Sequence, residues 1–206
     1  WRSSSQWIGG LFFLIFILAT LGTKTLRIKP VYLLNEAYET GNFYNNFFSN
    51  IFKIVFIYFV TTLVILLLYI FCKIRFFDAF NLAFTTISAG GFLSRENLSL
   101  IIINNLQTLI FGIGLLLSIL NFYLFYKLIF NKFKITEHYE DFYLIFFIFL
   151  FVFIFYFFLI NEESFLNIFL IVVSCLSTSG IGFYYSNIDL SLLLLLITII
   201  GGSAIS

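Results

Sequence analysis

The sequence predicts an all-α integral membrane protein built on a repeated unit: a span, a short re-entrant helix, a glycine loop and a second span. Three observations predict it. Of 206 residues, 62% are hydrophobic and 10% charged, with mean hydropathy +1.08, a balance foreign to soluble globular domains. Long apolar runs alternate with apolar stretches too short to cross a bilayer, which takes about 20 helical residues. A hydroxyl- and glycine-rich break, Thr85-Thr86-Ile87-Ser88-Ala89-Gly90-Gly91-Phe92, has an echo in Leu176-Ser177-Thr178-Ser179-Gly180-Ile181-Gly182-Phe183. Matching Gly91-Phe92 to Gly182-Phe183 sets the two breaks 91 residues apart and pairs Ser88 with Ser179 and Thr86 with Ser177.

Taken in order, Ile8–Leu21 is a first apolar run, long enough to cross once Ser3–Trp7 joins it, with Trp1 and Trp7 near the interface. A polar connector follows with Lys24, Arg27, Lys29 and the single proline, Pro30; Val31–Asn50 is expected to lie at the membrane surface or between spans. Ile51–Cys72 is the second span. Phe76–Ile87 is a short helix with Asp78 near its start, where an acid meets the positive end of the helix dipole. Leu93–Asn105 returns to the third span, Leu106–Ile129, and a charged loop, Lys132 to Asp141, leads to the fourth, Phe142–Ile160. Asn161-Glu162-Glu163-Ser164 supplies caps and acids for a second short helix, Phe165–Leu176. After the second break, Leu190–Ile200 opens a last span that closes on Gly201-Gly202-Ser203-Ala204. The chain starts at Trp1 and has no Met, which leads us to expect a piece of a longer protein; no signal-peptide cleavage pattern follows Arg2.

Charge sets a sidedness. With the loops at 24–29 and 127–134 on one face, that face carries Lys24, Arg27, Lys29, Lys53, Lys127, Lys132 and Lys134, seven of the 11 basic residues, and is expected to be cytoplasmic. Both glycine loops then face outward. The formal net charge of +1 and the absence of a basic tail give no footprint for nucleic acid. Cys72 and Cys175 lie in or beside apolar segments and are expected to be reduced thiols. His138 sits in a loop among Glu137, Glu140 and Asp141; no nucleophile–base pair or metal-spaced cluster accompanies it, so no enzyme is expected.

Non-helical backbone at membrane depth belongs inside protein, lining a polar path, and its carbonyls can replace the water around a cation. On that reading Ser88, Ala89, Gly90 and Gly91, with Ser179, Gly180, Ile181 and Gly182, offer the carbonyls of a filter, because close approach of successive carbonyls favours glycine. The competing reading is an ordinary glycine that ends a helix. Gly201, Gly202, Ser203 and Ala204 form either a gate or a close helix contact through small residues, and Asn121 is expected to tie helices through hydrogen bonds, the alternative being that it holds the gate.

Several motifs resemble the Trk/Ktr/HKT superfamily of potassium transporters. Trp1-Arg2-Ser3-Ser4-Ser5-Gln6-Trp7-Ile8-Gly9-Gly10 is similar to the family's W-R-x-x-x-Q-W-x-G-G. Asp78-Ala79-Phe80 with Thr85–Phe92 resembles its second pore helix and filter, Asn121-Phe122 the helix after it, Ser177–Phe183 its third filter, and Gly201-Gly202-Ser203-Ala204 the interruption in the next helix. The resemblance runs over nearly the whole chain, in order. It implies repeated helix–re-entrant pore helix–filter loop–helix units, part of a four-unit pore. Residues 1–50 would close the first unit and form a cytoplasmic connector, 51–134 the second unit, and 135–206 a truncated third. It further implies potassium uptake across the cell (inner) membrane, multi-pass in lipid, with K+ as the transported ion and no cofactor held by this chain. A homodimer and a cytoplasmic nucleotide-binding regulatory subunit are implied as partners. Two other classes stay open: a carrier of another small solute, for which the spans hold almost no ionisable residue away from their ends, and a non-transporting structural or assembly subunit.

Overall fold

A computed structural model describes residues 1–21, 43–120, 125, 139–159, 164–182, 194–195 and 197–199. Among the described residues the regular structure is entirely helical, with no strand. The helices are α1 (Arg2–Leu21), α2 (Phe43–Phe71), α3 (Phe76–Ile87), α4 (Asn105–Ile119), α5 (Tyr139–Leu159) and α6 (Phe165–Leu176), with a 3-10 turn at Leu98–Leu100.

Each boundary has a local cause. α2 ends in a Schellman-type reversal: Lys73 is left-handed (φ +61), its N–H reaches Ile70 O, and the Ile74 N–H reaches back to Tyr69 O. Ser164 caps α6, its hydroxyl accepting from Asn167 N–H. At the start of α4, Gln107 Oε1 accepts from the N–H groups of Ile103 and Asn104, while its Nε2 donates to Cys72 O at 3.0 Å. One buried amide therefore satisfies the first turn of α4 and fastens it to the end of α2.

α3 lies against α1, α2 and α4; α6 lies against α4 and α5. α4 is the wall between the two groups. Its Phe111, Leu115 and Ile119 recur at every fourth position and are fully or almost fully buried. Its glycines admit the neighbours: a Cβ at Gly112 would run into the Phe169 ring of α6, and a Cβ at Gly114 into the Tyr69 hydroxyl of α2. On α5, Ile148, Val152 and Phe155 form a buried stripe, while Phe146, Phe149, Phe153 and Phe157 stand exposed.

Several boundaries depart from expectation. Phe43–Asn50 is no separate surface segment but the first part of the 29-residue α2. Of the expected third span, Leu106–Ile129, α4 covers the part up to Ile119, where Leu120 is extended (φ −65, ψ 144); Phe125 is again helical, and the other residues of 121–129 lie outside the described residues. Four crossing helices were expected. Among the described residues only Ile51–Phe71 is long and apolar enough to cross a membrane. Trp7, expected near the interface, packs within the protein. Its indole stacks on Phe84 at 5.0 Å and its Nε1 donates to Thr62 Oγ1, whereas Trp1 is fully exposed.

This packing makes a prediction about α4. Gly112→Ala and Gly114→Ala should each destabilise the protein by about 1–3 kcal/mol, as overpacking does. Gly9→Ala, where a Cβ meets nothing within 4 Å, should be neutral or stabilising. Thermal unfolding of the purified variants checks this, and Tyr69→Phe should relieve the Gly114 variant.

Candidate functional site

The two short helices end alike. α3 and α6 each have 12 residues, starting at Phe76 and Phe165, 89 positions apart. Ser88 closes the first (φ −87, ψ 3) and Ser177 the second (φ −75, ψ −2). The next residue in each is left-handed although neither is glycine: Ala89 at φ +50 and Thr178 at φ +57. Two positions further on, Gly91 (φ +72) and Gly180 (φ +62) are left-handed again. The hydrogen bonds repeat as well. Ser88 N–H reaches Phe84 O and Ser177 N–H reaches Val173 O; Ala89 N–H reaches Thr86 O and Thr178 N–H reaches Cys175 O. Gly90 N–H then returns to Thr85 O, while in the second loop Ser174 O takes the Gly180 N–H together with the Ser179 hydroxyl.

The backbone thus pairs Gly91 with Gly180, 89 residues on, where the letters pair Gly91 with Gly182. Distance from the last helical turn sets the conformation, and the Gly-Phe letters do not. Gly182 has no left-handed φ, and a Cβ there would meet only Ile171 Cγ1 at 3.7 Å and Ser174 Oγ at 3.8 Å.

The loops meet each other. A Cβ at Gly91 would collide with the carbonyl oxygen of Ser179, so the two backbones touch where glycine permits it. Gly180 faces the other way: it is exposed, and a Cβ there would meet nothing within 4 Å. Ser88, Ala89, Gly90 and Gly91 are half-buried; Ser179 and Ile181 are buried. Behind the second loop, the Ser177 and Ser179 hydroxyls lie 2.8 Å apart, and both reach Ser174 O. Hydroxyls that satisfy backbone oxygen leave no orphaned polar group under the turn.

α1 braces the first loop. Arg2 lies 5.4 Å over the Phe92 ring, Ser3 Oγ donates to Asn81 Oδ1 at 2.7 Å, and Gln6 Nε2 donates to Gly90 O at 3.1 Å. Tyr58 OH donates to Trp7 O, and Gly10 lets Ser88 approach. On the far side of the loop the buried Asp78 draws the chain back. Ser94 Oγ donates to its Oδ1 at 2.5 Å, and Arg95 Nε lies 3.6 Å from Oδ2. Arg95 is 39% exposed, so its charge is partly screened and the serine bond carries more of the tie.

Of the expected site residues, the structure brings Gly91 against Ser179, while Gly90 faces Gln6, Gly180 is exposed and a Cβ at Gly182 would meet Ile171 and Ser174 of the second short helix. Asn121, Gly201, Gly202, Ser203 and Ala204 lie outside the described residues. Sequence reasoning missed Gln6 and Gln107 as anchors. The signals were present: positions 3, 6, 7 and 10 make a helical stripe, and Asn104 with Gln107 has capping-box spacing.

No protein-family model matches the chain, and no curated protein matches it.

The two pairings separate cleanly in experiment. Gly180→Ala should cost about 1 kcal/mol, the penalty of a left-handed non-glycine residue, while Gly182→Ala should leave the melting temperature unchanged. Ala89→Gly should stabilise by a similar amount. Equal penalties at 180 and 182 would restore the 91-residue pairing.

Proposed function

We propose that this chain forms part of a membrane pore that passes monovalent cations, potassium by preference, between the backbone carbonyls of the two loops. The observation that carries the reading is the pair of short helices. Each ends in the same left-handed turn, and the turns bring Gly91 and the Ser179 carbonyl into contact. A helix C-terminus is its negative end, and two of them whose following loops touch favour a cation nearby. Carbonyl oxygens on an otherwise apolar protein are the neutral ligands that a partly dehydrated potassium ion accepts.

The surface supports a lipid setting. Only 33% of the apolar stretch of α2 is buried within the protein, far less than the core helix of a soluble domain would be. Phe12, Phe13 and Phe16 on α1, and Phe52, Phe56 and Phe59 on α2, are exposed together with the α5 phenylalanines. Exposed aromatic area on this scale is stable in hydrocarbon and a liability in water. The resemblance to the Trk/Ktr/HKT superfamily supports potassium as the ion, the cell membrane as the location, a homodimer as the assembly, and a cytoplasmic nucleotide-binding subunit as its regulator.

The test is uptake of rubidium and sodium by cells that lack their own potassium uptake and express the full-length protein. Wild type should take up rubidium in preference to sodium. Gly91→Ala should lower rubidium uptake by about tenfold or more, the equivalent of roughly 1.4 kcal/mol at a binding step, at unchanged protein level. Wild-type uptake no greater than in cells without the protein would overturn the reading in favour of a structural subunit.

A further inference from the structure

The two adjacent glycines of the first loop are glycines for different reasons. Gly91 is left-handed and abuts Ser179. Gly90 is not left-handed, so its backbone would accept any L residue. The three atoms nearest a Cβ at position 90 all belong to one side chain: Oε1, Cδ and Nε2 of Gln6. The Gln6 amide therefore fills the space that a side chain at 90 would take. Its Nε2 donates to Gly90 O at 3.1 Å, and its Oε1 is buried with no hydrogen-bond donor, pressed against the Gly90 backbone.

A buried acceptor without a donor costs free energy. Here it accompanies a contact 84 residues away in sequence. α1 is held beside the loop on either side of Gln6, by Trp7 bonded to Thr62 and Tyr58 and by Ser3 bonded to Asn81. We propose that Gln6 is a positioning residue of the pore: its amide fixes the direction of the Gly90 carbonyl, tempers that oxygen as a cation ligand, and is the reason position 90 is glycine. The inference rests on the pore reading above. It adds that ion preference is set in part from α1, by a side chain outside both loops. A carbonyl engaged by an amide presents less negative charge to an ion than a free one, and its neighbours are held in the spacing that the engaged peptide dictates.

Four variants of the full-length protein test this: Gln6→Ala, Gln6→Glu, Gly90→Ala and the double variant Gln6→Ala/Gly90→Ala. Gln6→Ala should lower the rubidium-to-sodium uptake ratio by about fivefold, the scale of one neutral hydrogen bond. Gln6→Glu keeps the shape, loses the donor and should lower the ratio at least as far. Gly90→Ala should abolish uptake and lower the melting temperature. The double variant should recover both, since the colliding amide is gone, while its ion ratio stays at the Gln6→Ala level. A harmless Gly90→Ala, a double variant no better than Gly90→Ala in melting temperature, or a wild-type ratio in both Gln6 variants would each overturn the inference. Suppression read by melting temperature needs no transport. A protein that shows suppression yet takes up no rubidium would therefore retain the Gln6–Gly90 fit and lose the pore reading.

Discussion

Everything around the paired loops depends on one backbone constraint: a helix must stop and reverse within a single residue, through a left-handed conformation that Ala89 and Thr178 adopt at a cost of about 1 kcal/mol each. Such a conformation persists where the surroundings over-determine it. For the first loop the surroundings are specific. Asp78 holds the outgoing chain through Ser94 and Arg95, Gln6 holds Gly90, and Arg2 covers Phe92. For the second loop the support seen among the described residues is a cluster of serine hydroxyls turned back onto Ser174 O. Among the described residues, the same turn is thus stabilised by neighbouring elements in one copy and by its own helix in the other.

The distance between the loops is a property of α4. Gly112 and Gly114, two residues apart and so on nearly opposite faces of the helix, let α6 approach from one side and α2 from the other. Removing side-chain volume on both faces thins the wall between the two groups. The contact of Gly91 with Ser179 requires that thinness.

Much of this was legible in the sequence. The bounds of α3 and α6 could be read to the residue, because an acid in the first turn (Asp78) or a capping serine (Ser164) marks the start of each 12-residue segment and a glycine break follows its end. The pairing of the breaks was not. Gly-Phe recurs at 182–183, and letters alone cannot say which glycine follows the last turn by the right number of residues. The full length of α2 was hidden because Tyr, Asn and Phe at 43–50 read as a segment at the membrane surface or between spans, whereas the helix runs unbroken from Phe43 to Phe71. Gln6 escaped notice because a lone amide in an apolar helix has no local partner; Gly90, which takes it, lies far along the chain.

That separation bears on the order in which the protein is made. Trp7, Ser3 and Gln6 on α1 find their partners 55, 78 and 84 residues later. While the chain is being synthesised, α1 emerges before the partners that these groups hold in the folded protein, and it must wait for α2 and α3. α3, by contrast, closes on α2 and its own outgoing loop over a few tens of residues. Assembly should therefore begin as a hairpin of α2 and α3 and finish when α1 returns to it, a slow, long-range step of the kind that raises contact order. Of α1, α2 and α3, α1 is made first and seated last.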